Sequence, residues 1–209
     1  MNNELVIIGA GGHSKVIIDI FERMGKYRIV GLTDRTDEEV LGYPVLGTDD
    51  ILVELYNKGV FNAFIALGNN SIRKKLYTMV DDIGFNIVSA ISPDSVISRH
   101  SNIGKGVAVM PGAVINPGTT IGDGAIINTN ASVDHDCVIE SFVHIAPGCA
   151  VSGSSKVGSG TFLGTGSRVI DGITIGSNSI IGAGSAVVRD LEDNITAVGV
   201  PARKIKDNR

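Results

Sequence analysis

A period of six constrains this chain more than any other feature. An Ile, Val or Leu stands at every sixth residue from Ile91 through Ile97, Ile103 and Val109 to Ile181 and Val187. Seventeen positions obey the rule without an insertion. Such a period matches neither a 3.6-residue helix nor an alternating strand, so it implies a stack of short identical units. The other columns of the repeat agree. Three residues after each aliphatic, fourteen of the seventeen positions are Gly, Asn or Asp, including Gly106, Gly112, Asn130 and Asp136. These types accept a positive φ, so a tight turn recurs in every unit. Pro111, Pro117 and Pro147 stand directly before such turns, where a fixed φ helps.

This pattern predicts a left-handed parallel β-helix, in which three six-residue units make one triangular coil. The repeat then gives about six coils, spaced about 4.8 Å apart as adjacent strands are. A β-sandwich would not hold one strict period over a hundred residues. Cys137 and Cys149 fall in the small inward column, on different edges of the prism. They are expected to be core thiols rather than a disulfide or metal site, and a cytoplasmic location is expected.

The first 89 residues lack the period. Glu4–Ile8 reads as a strand entering Gly9-Ala10-Gly11-Gly12-His13, followed by a helical pattern through Ile17, Ile18, Phe21 and Met24. Arg28–Leu32 is a second strand. Thr48–Lys58 is a helix with Thr48 as N-cap, and Asn62–Leu67 a third strand. A helix over Ile72–Ile83 and a strand over Phe85–Ser89 complete the region. Strand–helix alternation implies an α/β domain of Rossmann type. The expected organisation is a Rossmann-like domain over 1–89, a left-handed β-helix over 90–191 and a cap over 192–209.

Composition narrows the partners. The 209-residue chain has a net charge of −4 and a pI near 5.5, which argues against nucleic acid. No apolar run is long enough to span a membrane, and the N-terminal strand lacks the features of a signal peptide. Gly9 and Gly11 match the start of GxGxxG, but Ser14 stands in place of the third Gly. A glycine turn before a helix still offers backbone N–H groups to a phosphate, and Asp34, ending the second strand, suits ribose hydroxyls or a base edge. The glycines could instead serve only helix–sheet packing.

GAGGHSKV (Gly9–Val16), FIALGNNSIRKKLY (Phe64–Tyr77), INTNASVDHDCVIESFVHIAPGCAVSG (Ile127–Gly153) and GVPARKI (Gly199–Ile205) together resemble the bacterial sugar acetyltransferases. That family includes sialic acid O-acetyltransferases and N-acetyltransferases acting on nucleotide-linked 4-amino-6-deoxy sugars. The resemblance implies a homotrimer with acetyl-CoA between subunits, a nucleotide sugar held by the N-terminal domain, and no metal. It implies that His135 is the general base and that Asp136 orients it, although Asp134 is a rival and Asp136 also fills the positive-φ column. It places His144, Gly153, Thr165 and Ala183 on the acetyl-CoA side. It places Gly11, Gly12, His13, Asp34, Arg35 and Gly68 at the nucleotide sugar.

The repeat adds geometry. His135 lies at a corner, two residues after Val133. His144 lies nine residues on, at a different corner, in an outward column with Ala90, Ala108, Ile126, Phe162 and Ile180 that is expected to be an exposed contact stripe. If both histidines serve one centre, that centre lies between subunits. Gly153 stacks on His135 and is expected to leave room for a pantetheine arm. His100 is expected to be structural. Phe142, bulky at a turn, is expected to protrude toward substrate or a neighbouring subunit. The favoured reading is N-acetylation of a nucleotide-linked amino sugar. Sugar O-acetylation, a β-helix carbonic anhydrase and a non-catalytic sugar-nucleotide sensor are the alternatives.

Overall fold

The computed structural model describes residues 3–208 and divides into two compact units between Pro93 and Asp94. In the first, strands β1 (Glu4–Ile8), β2 (Arg28–Thr33), β3 (Asn62–Ile65) and β4 (Asn86–Ile87) form one parallel sheet in the order β2-β1-β3-β4. A parallel sheet needs cover on both faces. Helix α1 (Gly12–Met24) supplies one side by burying Ile17, Ile18, Ile20 and Phe21. The Phe21 ring meets Phe64 edge-on at 5.5 Å. Val6, Ile8, Leu52, Val60, Ile65, Val80 and Phe85 form a second cluster. It receives helices α2 (Leu52–Asn57) and α3 (Asn70–Ile83). Asn69 caps α3 by accepting from the Ile72 N–H at 3.0 Å.

Thr48 is not the cap expected for a helix over Thr48–Lys58. It heads a 3-10 turn at Asp49–Ile51, and its hydroxyl turns to Asp50 instead of an open N–H. Asp49 accepts from the Thr33 hydroxyl at 2.7 Å, and the turn runs directly into α2 at Leu52.

The second unit is a parallel β-helix, left-handed as expected. Two-residue strands recur every six residues from Val96–Ile97 to Ala186–Val187. Each pairs with the strand eighteen residues away, as Ile126 does with His144 and His144 with Phe162. The column from Ile115 to Val187 is buried throughout. All fourteen turn positions from Gly106 to Gly184 have positive φ. Asn130, Asp136, Phe142 and Asn178 lay their side chains back over the glycine one coil earlier. Asn130 covers Gly112 and Asp136 covers Gly118 in this way.

The same rule corrects the expectation for Phe142. Its φ is 60°, and its ring lies along the solenoid over Gly124, where an added Cβ would come within 2.6 Å of Cε1. Phe142 is buried and does not protrude. The turn geometry directs the side chain along the stack rather than outward.

Cys137 and Cys149 are buried free thiols bonded to main-chain carbonyls of the next coil. At the far end Ile195–Val198 adds a parallel strand to Ile180–Ile181, and Arg203–Asp207 folds back on it antiparallel. Charged residues on that last strand disfavour further edge pairing. Among the described residues no helix is long and apolar enough to cross a membrane.

Candidate active site

His135 stands two residues beyond the Ser132–Val133 strand, at a corner of the prism. Its main-chain N–H donates to Asp134 Oδ1 at 2.8 Å, and the Asn116 side chain donates to the same oxygen at 2.8 Å. Asp134 therefore fixes the backbone at the corner. Asp136 holds the ring: its Oδ2 lies 3.0 Å from His135 Nδ1. One carboxylate serves both duties considered for it, since Oδ1 continues the turn ladder over Gly118. An ionised carboxylate only accepts, so Nδ1 carries the proton in the neutral ring. Nε2 is left as the basic nitrogen, and it has no hydrogen-bond partner among the described residues.

Gly153 stacks one coil above. A Cβ there would lie 2.6 Å from His135 Cε1, 2.8 Å from Nε2 and 3.0 Å from Asp171 Oδ1. The expected room above Gly153 is thus taken by the imidazole itself. The missing side chain lets the ring lie across the main chain.

The Asp136 hydrogen bond raises the His135 pKa above 6.5, and the charges of Asp134, Asp136 and Asp171 add to it. The base form then dominates only above that raised value. The acid limb of kcat/KM is expected to have its midpoint above pH 6.5. Asp136→Asn should move that limb to lower pH, because it removes the largest cause of the rise. The acceptor's own ionisation is common to both proteins, so comparing their pH profiles isolates the histidine.

His144 lies on another sheet of the prism, in register with Ile126 and Phe162. It was expected on an exposed stripe, but it is buried in a single chain. The Phe162 ring covers it edge-on at 5.1 Å, and Asn128 Nδ2 lies 3.0 Å from its Nε2. Ala90, Ala108 and Ile126 of that column are also buried, and Ile180 is exposed. Thr165 and Ala183, both exposed, follow the same sheet at a different corner from His135. Within one chain His135, Asp136 and Gly153 come together, while His144, Thr165 and Ala183 lie elsewhere.

In the first unit a cavity of about 630 Å³ opens at the C-terminal ends of β1, β2 and β3. Asp34 and Arg35 line it, with Thr48, Asp49, Asp50 and Lys75. Asp34 clamps the glycine turn: its carboxylate accepts from the N–H of Ala10 at 2.7 Å and of Arg35 at 2.6 Å. Gly9 has φ 103° and packs on Leu67, so packing accounts for it. Gly11 and Gly12 have nothing within 4 Å of an added Cβ, so packing does not account for them. They open the N-terminus of α1.

His13 and Gly68 meet a group that sequence reasoning missed. Arg73 lies in the helix expected over Ile72–Ile83, and it is 2% exposed. It donates to the carbonyls of Leu67 and Gly68 and to Asn70 Oδ1. The signal was available, because Arg73 shares a helical face with Leu76, Tyr77 and Val80. Burial lowers its pKa to about 10, so it stays charged at neutral pH.

Burial, then the Arg73 charge, brings the His13 pKa from 6.5 down to about 4. The unfolded chain therefore takes up this proton first. The corresponding stability is full above pH 6.5 and is lost as pH falls toward 4, by roughly 3 kcal/mol. Urea denaturation at pH 7 and 4.5 should show a smaller acid loss for His13→Gln than for the native chain; equal losses would refute the assignment.

Residues 4–80 match the PglD N-terminal domain family. Residues 100–135 and 154–189 match the bacterial transferase hexapeptide family. The chain is 31% identical to GDP-perosamine N-acetyltransferase of Escherichia coli O157:H7, over 96% of this chain and 95% of that protein. It is similar to a variant of perosamine N-acetyltransferase from Caulobacter crescentus, solved with CoA and GDP-perosamine. The TM-score is 0.95 and the identity 45%, over 98% of this chain and 97% of the other. It is also similar to the acetyltransferase domain of PglB from Neisseria gonorrhoeae, solved with acetyl coenzyme A. There the TM-score is 0.94 and the identity 39%, over 98% and 100% of the two chains. The chain belongs to the hexapeptide-repeat sugar N-acetyltransferases.

Proposed function

We propose that this protein transfers the acetyl group of acetyl-CoA to the 4-amino group of GDP-perosamine or a close GDP-linked relative. The single observation that carries the mechanism is the His135 ring, held at Nδ1 by Asp136 with Nε2 left open. Nε2 takes the proton as the amine attacks the thioester carbonyl, the C–S bond then breaks and the protonated ring returns that proton to the departing CoA sulfur, and no acyl-enzyme forms. The residues fit such a donor. The Gly153 N–H, which makes no hydrogen bond among the described residues, donates to the carbonyl oxygen. His144, Thr165 and Ala183 serve the donor from the neighbouring subunit of a homotrimer. The separation of His135 and His144 onto different sheets supports an intersubunit centre, as do the exposed Val138, Ile170 and Ile180. The first unit takes the nucleotide in the cavity beside Asp34 and Arg35. Gly11 and Gly12 meet its phosphates at the open N-terminus of α1, and His13 and Gly68 lie on the sugar side. The enzyme acts in the cytoplasm.

The GDP preference rests on the relatives that match over the whole chain. A free-thiol assay with acetyl-CoA and GDP-, UDP- and dTDP-linked 4-amino sugars tests it. The highest kcat/KM is expected with GDP-perosamine. Thiol release no faster than the acceptor-free blank with every amino sugar would sink the proposal.

A further inference from the structure

The corner that carries His135 is continuous through the next two coils. Val133, Val151 and Val169 pair in register, and two residues beyond them stand His135, Gly153 and Asp171. The ladder holds at the corner itself. The Ser154 N–H donates to the His135 carbonyl and the Gly172 N–H to the Gly153 carbonyl, each at 2.9 Å. The main chains of His135 and Asp171 are thus two coils, roughly 10 Å, apart. Their side chains close most of that distance over the bare Gly153. A Cβ on Gly153 would lie 2.8 Å from His135 Nε2 and 3.0 Å from Asp171 Oδ1. The basic nitrogen and a carboxylate oxygen therefore border one gap, and a single nitrogen placed between them reaches both at hydrogen-bond length.

The other two carboxylates at this corner are committed. Asp134 accepts from the His135 N–H and from Asn116, and Asp136 holds Nδ1. Asp171 is exposed and makes no hydrogen bond or ion pair among the described residues. An ionised carboxylate only accepts, and a neutral imidazole with its proton on Nδ1 accepts at Nε2. Both walls of the gap are therefore acceptors. A neutral amine matches them, since each N–H meets one wall and the lone pair is left to attack. A hydroxyl has one hydrogen. It satisfies Nε2 and then turns a lone pair toward the carboxylate.

We infer that Asp171 selects an amine over a hydroxyl as the acetyl acceptor, by accepting the second N–H of the group that His135 deprotonates. The inference deepens the acetyl-transfer reading above and rests on it. As the N–C bond forms and the C–S bond breaks, one proton passes to Nε2 and on to the departing sulfur. The other stays on the amide nitrogen of the product, still directed at Asp171. The carboxylate also faces the positive charge that the nitrogen gains during attack.

Calorimetry on the full-length protein saturated with CoA tests this with two ligands, GDP-perosamine and the same GDP-sugar carrying a 4-hydroxyl. Asp171→Ala should raise the Kd for GDP-perosamine about ten-fold or more, the effect of losing one hydrogen bond to a charged group. The Kd for the hydroxyl sugar should stay the same or fall. Asp171→Asn keeps the shape and loses the charge, so it should shift the preference in the same direction without a packing change. The kcat/KM for GDP-perosamine should drop at least as far in Asp171→Ala, while the Kd for acetyl-CoA and the melting temperature hold. Equal weakening of both sugars, or an unchanged preference between them, overturns the inference whatever happens to turnover. Native protein that binds neither sugar nucleotide, or transfers no acetyl group, overturns the functional proposal instead.

Discussion

His135→Ala is expected to lower kcat/KM by about 10²- to 10⁴-fold, the range spanned by positioned general bases. The loss should fall on kcat, because the imidazole meets the acceptor proton only as the new bond forms. The Kd for acetyl-CoA should change little by calorimetry, since donor binding is assigned to other groups. Folding should also be unaffected. The ring is 54% exposed, and the corner backbone is fixed by Asp134 and the turn ladder rather than by the imidazole. Steady-state kinetics beside a thermal melt separate these terms. A variant that turned over at near-native rate would remove His135 from the mechanism.

Gly153→Ala should have the second largest effect, and it reaches the same nitrogen without touching it. Gly153 is not among the residues with positive φ, so alanine suits the backbone. Its methyl, however, would lie 2.6 Å from His135 Cε1 and 2.8 Å from Nε2. The ring must swing away, which stretches its bond to Asp136 and displaces Nε2. A misplacement on the order of 1 Å costs about 10²-fold in rate. The variant should fold with a near-native melting temperature and lose about that much kcat/KM. It should retain the raised His135 pKa only in part, because the Asp136 bond is that pKa's largest support. Unaltered kinetics would mean that the ring does not work from the position it holds here.

The solenoid was legible because its rule is one-dimensional. Seventeen aliphatics in register fix the coil, the sheets and the corners, and stacking transmits each choice to the next coil. The position of His135 at a corner, and of Gly153 directly above it, followed from that arithmetic. Which carboxylate orients the ring did not. Asp134 and Asp136 flank His135 equally in sequence, and only the left-handed φ at Asp136 turns its carboxylate to Nδ1. Phe142 was misread for a related reason. Protrusion was argued from size, whereas the positive φ directs the side chain along the stack. Arg73 and the Asn128–His144 contact depend on side chains from neighbouring turns or coils, which the six-residue period does not specify. In the first unit the alternation of strands and helices was enough for the sheet. The 3-10 turn after Thr48 carries the Thr33–Asp49 and Thr48–Asp50 side-chain bonds, which propensity does not capture.

The most direct test is to identify the product formed from acetyl-CoA and GDP-perosamine by mass spectrometry and NMR, with native protein and with His135→Ala. The expected result is a single acetyl group in amide linkage to the 4-amino nitrogen, formed rapidly by the native protein and at least a hundred-fold more slowly by the variant. An ester in place of the amide, or equal amide formation by the two proteins, would contradict a histidine-based N-acetyltransfer at this edge.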